Sequence, residues 1–209
     1  MAMLVREAKQ IAVSLSNPAK MPCKGYGIQA LENCPVGKKL ALIPGSTCAN
    51  CYACKGQYQF ANVIECHKKR KAAIDHPQWV EAMVKLIGND PYFRWLDSGD
   101  VFSMSFLKKI IQVVTLTPNC EHWLPTREKG LISRYMNAGG FIPDNLTIRL
   151  SAAMVDNIAV ALPGLNTSTV HEHGPAIGHE CIAPKQNGEC RDCRACWNKD
   201  IKNVSYKQH

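Results

Sequence analysis

The chain has 209 residues, 46% of them hydrophobic, and a formal net charge of +8. That is enough to bury an ordinary core without covalent staples, so one domain over residues 1–209 is expected and a small disulfide-dependent scaffold is excluded. Arg6, Glu7, Lys9 and Gln10 break up the apolar positions of the opening segment, and the longest apolar runs, IIQVVTL and NIAVALPGL, fall far short of the roughly twenty residues of a membrane span.

Taken along the chain, residues 1–56 form an N-terminal segment carrying Cys34, Cys48, Cys51 and Cys54, within LENCPVG and CANCYACKG. Residues 57–173 read as an α/β core. QYQFANVIECHKKRKAAI places Phe60, Val63, Ile64 and His67 at helical spacing, and PQWVEAMVKLIGND does the same with Trp79, Val80, Met83, Val84 and Ile87 before a Gly-Asn-Asp stop. PYFRWLD then predicts a strand, SMSFLKKIIQVVTL a helix, EHWLPT a strand, EKGLISRYMNAGG a helix ending on glycines, and NLTIRLSAA a strand. NIAVAL and STVHEH are candidates for two more strands. Residues 174–209 form a cysteine-rich extension with Cys181, Cys190, Cys193 and Cys196, the last three in CRDCRACW.

The βαβαβ run implies a parallel sheet, either open or part of a (β/α) barrel, whose ligands gather beyond the carboxyl ends of the strands. Polar residues follow each of those ends: Asp97, Ser98, Gly99 and Asp100 after the first strand, Thr126, Arg127 and Glu128 after the second, Ser151 after the third, and His171 and His173 in HEH after a later one. Individually these are ordinary capping and turn residues, with Asp100, Ser103 and Thr126 as candidate N-caps. A polar rim on four strand ends is more than a parallel sheet needs for stability, and it marks a candidate site.

Eight of the eleven cysteines fall into the two sets of four, and a chain in a reducing cytoplasm has more use for them as metal ligands than as disulfides. Two chemistries fit. Zinc accepts four thiolates in structural sites, typically from two separate C-x-x-C knuckles. A C-x-x-C-x-x-C triplet with one distant cysteine instead suits a 4Fe–4S cluster, because the loop can wrap three iron corners while the remote thiolate takes the fourth. Neither triplet continues into the x-x-x-C-P of ferredoxin runs, which argues against a plain two-cluster ferredoxin. Two thiolate-held clusters, each adding about −2, bring the charge of +8 to about +4, so part of the basicity reads as compensation. Cys23, Cys66 and Cys120 are isolated, and read as small buried apolar residues.

The tract from His67 to Lys71, HKKRK, is the candidate for contact with nucleic-acid phosphate, and equally a solvated helix face; no nucleic-acid motif or aromatic-interleaved groove accompanies it. Trp95, Trp123 and Trp197 are expected to pack.

Together, SNPAKMP, LENCPVG, CANCYACKGQYQFANV, FRWLDSGD, TREKG and GECRDCRACW resemble the phage gene product 88 family over nearly the whole chain. More distantly, the cysteine-plus-CYA segment is similar to the cluster loop of radical S-adenosylmethionine (SAM) proteins, although residues 35–47 separate Cys34 from Cys48 where that loop has three residues. This second resemblance implies a first cluster at the N-terminal set, a second, auxiliary one at the C-terminal set, and an SGD turn (Ser98, Gly99, Asp100) in the place of a cofactor-gripping turn. Asp97, Asp100, Arg127 and Glu128 would then be the catalytic rim. The alternative is a non-enzymatic redox, sensor or structural module, in a phage protein within the host cytoplasm, that binds a host partner or nucleic acid. The two differ at Cys54, whose ligation would close the first cluster.

Overall fold

In the computed structural model, which describes residues 3–18 and 21–208, seven parallel strands form one open sheet in the order β1-β2-β3-β4-β5-β7-β6. The strands are β1 (Lys24–Tyr26), β2 (Tyr92–Trp95), β3 (Glu121–Thr126), β4 (Leu146–Ser151), β5 (Asn166–His171), β6 (His179–Glu180) and β7 (Asn203–Lys207). The helices are α1 (Val5–Ala12), α2 (Pro35–Leu40), α3 (Ala61–Ala73), α4 (Trp79–Ile87), α5 (Met104–Leu116) and α6 (Lys129–Asn137). The sheet is thus the open, parallel one of the two architectures expected. Ala19 and Lys20 of SNPAKMP lie outside the described residues.

Alternation along each strand divides the molecule into layers, because successive side chains leave a strand on opposite faces. One face of the central strands carries Phe93, Trp95, Leu124, Leu146, Ile148 and Leu150, which join residues of α1, α4, α5 and α6 in a single apolar core. His122 is buried there too. Its Nδ1 accepts from Trp95 Nε1–H at 3.2 Å, so Nε2 carries the proton and faces Thr117 Oγ1 at 2.8 Å. Ser103 caps α5, its hydroxyl accepting from Phe106 N–H at 3.2 Å.

The opposite face is polar yet still buried. Thr147 and Arg149 of β4 and Asn166 of β5 point there, and the cysteine-rich extension lies over them. Arg149 has no exposed surface, and its guanidinium donates to the carbonyls of Ala195, Cys196, Asn198, Ile201 and Thr167. Thr147 Oγ1 donates to Trp197 O at 2.6 Å, and Trp197 packs edge-on against both Trp123 and Tyr92.

The core elements expected from periodicity are all present. NIAVAL is a correction: Asn157–Leu162 forms no strand, and Ile158 and Val160 are 70% and 64% exposed. Its alternation is real, but β4 already pairs with β5, so the segment has no edge to join. STVHEH supplies most of β5, which ends at His171, while Glu172 and His173 turn off the sheet; Asp156 holds that turn, accepting from Glu172 N–H, His173 N–H and Gly174 N–H. The helices α1 and α2 and the strands β1, β6 and β7 were not anticipated. Among the described residues, no helix is long and apolar enough to cross a membrane.

Candidate metal centres at the two cysteine sets

The first set assembles over the carboxyl ends of β1 to β4. Cys34 is the residue from which α2 starts, and Asn33 O accepts from Asp100 N–H at 3.1 Å, tying that start to the LDSGD turn. Thr47, beside Cys48, donates from its backbone to Ala153 O at 2.9 Å and from Oγ1 to Ala152 O at 3.0 Å, just beyond β4. Tyr52, beside Cys51, donates from its hydroxyl to Asp97 O at 2.6 Å and accepts from Arg94 Nη2 at 3.1 Å. The loop is therefore stitched to the rim at three points, beyond the ends of β2 and β4.

Gly37 lets two sulfurs share that space. A Cβ on it would stand 2.9 Å from Cys34 Cβ, 3.5 Å from Cys48 Sγ and 3.8 Å from Cys34 Sγ. Cys51 is close enough to Cys34, Cys48 and Cys54 to act on all three electrostatically. Burial pushes the Cys34 thiol up to about 12, with the Asp100 carboxylate adding to the shift, and Cys54 up to about 11. Burial also raises Cys48, and Arg127 opposes it. Cys34, Cys48 and Cys54 are therefore protonated at neutral pH, and a metal bound by them would have to displace those protons.

The rim residues LDSGD and TREKG come to the same edge of the sheet. Asp100 Oδ1 accepts from Thr126 Oγ1–H at 2.6 Å and Val101 N–H at 2.7 Å, and its Oδ2 from Arg127 N–H at 2.9 Å. Glu128 Oε1 accepts from Val36 N–H at 2.7 Å, two residues beyond Cys34, and Arg127 Nε donates to Thr47 Oγ1 at 3.0 Å. Burial raises both the Asp100 and the Glu128 carboxyl, against the pull of these hydrogen bonds. Asp97 is held differently: its Oδ1 faces Ser16 Oγ at 3.3 Å, on the β1 side of the rim. In the SGD turn, Gly99 has φ +82° and packs on Ile28, whereas the Ser98 hydroxyl is buried with no hydrogen-bond partner among the described residues. Ser151 Oγ accepts from Ser168 Oγ, His171 Nδ1 meets Ser205 Oγ at 2.8 Å, and His173 is exposed, so the HEH residues do not join the first set.

The second set is more enclosed. Cys181, Cys190, Cys193 and Cys196 line one largely apolar cavity with about 300 Å³ of atom-free space, part of it open to solvent, together with His179, Trp197 and Val204. His179 Nε2 is 4.0 Å from Cys193 Sγ, and Tyr206 Oη is 3.1 Å from Cys196 Sγ. Burial pushes Cys196 up to about 12 and raises Cys181 and Cys190. Among the described residues no three His, Cys, Asp or Glu side chains converge tightly enough to hold a single metal ion.

The isolated cysteines are not alike. Cys120 is buried, as expected, but Cys23 feels the charges of Arg94, Cys190 and Arg194 and so borders the second set. In the basic tract, His67 and Arg70 are buried, with Arg70 donating to Ser14 O at 2.6 Å and 2.9 Å. Lys68 and Lys69 are its exposed residues. Sequence reasoning missed Arg94, Arg149, His179 and Tyr206. For the two arginines the signal was present: a charge inside an apolar strand, FRWL and TIRL, must find buried partners.

No curated protein and no solved structure matches this chain. One family model does, over residues 2–199, a span that takes in the rim and both cysteine sets, and the chain belongs to that family, gene product 88.

Proposed function

We propose that the protein is an iron–sulfur protein with two 4Fe–4S centres, one held by Cys34, Cys48, Cys51 and Cys54 at the rim and one by Cys181, Cys190, Cys193 and Cys196 beneath the extension. The observation that carries this is the convergence of the four C-terminal thiols on one cavity. A polynuclear core needs ligands spread around a volume, whereas a lone zinc ion draws four thiolates to about 2.3 Å from a point. The donor chemistry fits: every member of both sets is a thiol that is free of disulfide. When bound, such clusters supply one-electron transfer.

This chain's own residues hold and shape those centres. Asp100, Thr126 and Arg127 fix the turn behind Cys34, Glu128 fixes the start of α2, and Thr47 and Tyr52 fix the loop that carries Cys48, Cys51 and Cys54. The test is anaerobic purification with iron, sulfide and zinc analysis. Brown protein with roughly equal iron and sulfide, losing about half of both in Cys190→Ala, is expected. Colourless protein with stoichiometric zinc overturns the reading in favour of structural four-thiolate sites.

A second reading, radical SAM-like chemistry at the first centre, is favoured by the position of that centre at the carboxyl edge of a parallel sheet, where ligands gather. The Ser98 hydroxyl is the polar atom of the SGD turn left to receive a ligand, since Gly99 is committed to Ile28 and Asp100 to three hydrogen bonds. This reading needs an iron that Cys54 does not close. Electron paramagnetic resonance of the reduced protein decides it: a signal that SAM alters means an open iron, and one that SAM leaves alone while Cys54→Ser reshapes it means closed coordination and a redox or structural module.

A further inference from the structure

We infer that Tyr206 is a positioning residue of the second centre, donating its hydroxyl hydrogen to the Cys196 thiolate whenever metal is bound; the inference rests on the proposed metal centre there. The two side chains come from different parts of the chain. Cys196 ends the CRDCRAC run, and Tyr206 sits on β7, where pairing opposite Val170 of β5 fixes its direction. Their polar atoms are 3.1 Å apart, and no other hydrogen bond to the Tyr206 hydroxyl is formed among the described residues.

In the metal-free protein either atom can donate. A metal-bound sulfur has lost its proton, and then only the phenol can donate, so the contact becomes a charge-assisted hydrogen bond. A phenol keeps its proton at neutral pH, so it remains the donor. The contact is therefore stronger in the loaded state than in the empty one, which is what a group must do to raise metal affinity rather than stability alone. Tyr206 lies beyond residues 2–199, the span of the family match, so that match assigns it nothing.

The experiment uses Co(II) as the probe, read by thiolate-to-cobalt absorption and competed with a chelator, in the full chain with Cys34, Cys48 and Cys51 changed to Ser so that only the second set reports. Tyr206→Phe keeps the ring and removes the hydroxyl. The expected result is roughly 10- to 100-fold weaker Co(II) affinity, the usual cost of losing a partner of a metal ligand, with little change in the metal-free unfolding midpoint. A matching chain with Cys190, Cys193 and Cys196 changed to Ser should show no effect of Tyr206→Phe on the first set. Equal affinity with and without the hydroxyl overturns the Tyr206 inference while leaving the metal centre intact, and so does an equal loss at both sets. Where the second set takes up iron and sulfide on anaerobic reconstitution but not Co(II), the same comparison is read as iron retained against the chelator; uptake of neither, even with Tyr206 present, overturns the centre and the inference together.

Discussion

Replacing Arg149 with methionine should detach the cysteine-rich extension from the sheet. Arg149 stands on β4 with no exposed surface and donates at 3.0 Å to Cys196 O, 2.8 Å to Ala195 O, 2.8 Å to Asn198 O, 2.9 Å to Ile201 O and 3.2 Å to Thr167 O. Four of those five acceptors lie between residues 195 and 201. A hydrogen bond to a charged donor contributes about 1.5–3 kcal/mol, and each orphaned buried carbonyl costs about 1–3 kcal/mol, so keeping the segment docked would cost more than releasing it. Release limits the loss, and about 3–5 kcal/mol is expected, the scale for removing one partner of a buried charged network. Against a total stability of about 5–15 kcal/mol this leaves the rest folded but weakened. Urea unfolding gives the magnitude, and Trp197, whose indole N–H donates to Phe93 O at 3.0 Å, reports release by a red-shifted emission. Arg149→Lys should fall between, since an ammonium has three donors for five carbonyls. If Arg149→Met kept both the unfolding midpoint and the Trp197 emission, the guanidinium would not be what holds the extension down.

Gly37→Ala should weaken the first proposed centre and spare the second, because the new Cβ would stand 2.9 Å from Cys34 Cβ and must displace the Cys34 side chain; loss of metal from the first set alone is the expected measurement, and full retention at both sets would contradict this argument. The pH dependence of stability should carry the signature of His122, whose folded value burial depresses to about 3. The unfolded imidazole takes up a proton near 6.5, so His122's contribution is complete above that pH and is lost as pH falls from 6.5 towards 3, by about 1.4 kcal/mol at pH 5.5. His122→Phe should flatten the stability profile between pH 7 and 5, and an unchanged slope would mean that His122 is protonated in the fold.

Much of the core was legible because its helices and strands carry strong periodicities. EHWLPT matches β3 residue for residue, and SMSFLKKIIQVVTL contains α5 with its Ser103 cap. The elements missed are those whose stability is borrowed. The strand β1 is three residues long and exists because Gly25 permits close approach to Arg94 O, while β6 has two residues and pairs with β7. Spacing alone singled out the two cysteine triplets as candidates, since the residues of each are local in sequence, and the C-terminal one shares a cavity with Cys181. What spacing could not give is the company they keep: Tyr206 reaches Cys196 through a β5–β7 pairing, and Arg94 reaches the first loop through Tyr52, contacts fixed by topology rather than by any local pattern.

The same distinction bears on what the rim carboxylates do. A general acid or base must have an oxygen free to meet a substrate proton. Asp100 has both oxygens occupied by donors from its own turn and from the start of the TREKG loop, and Glu128 holds Val36 N–H. The Glu128 bond ties the segment after β3 to the start of α2 beside Cys34, and the Asp100 bonds tie the ends of β2 and β3 to each other, so these carboxylates hold in place the segments around the first thiols. Asp97 and Arg127 follow the same economy through Ser16 and Thr47. A rim built this way makes sense if the reactive group is the proposed centre itself, because a loop carrying one buried and three half-buried thiols must be fixed from several strands at once to hold a metal. The chemistry would then belong to the cluster, and the protein's part would be the geometry and the buried surroundings that set its reactivity.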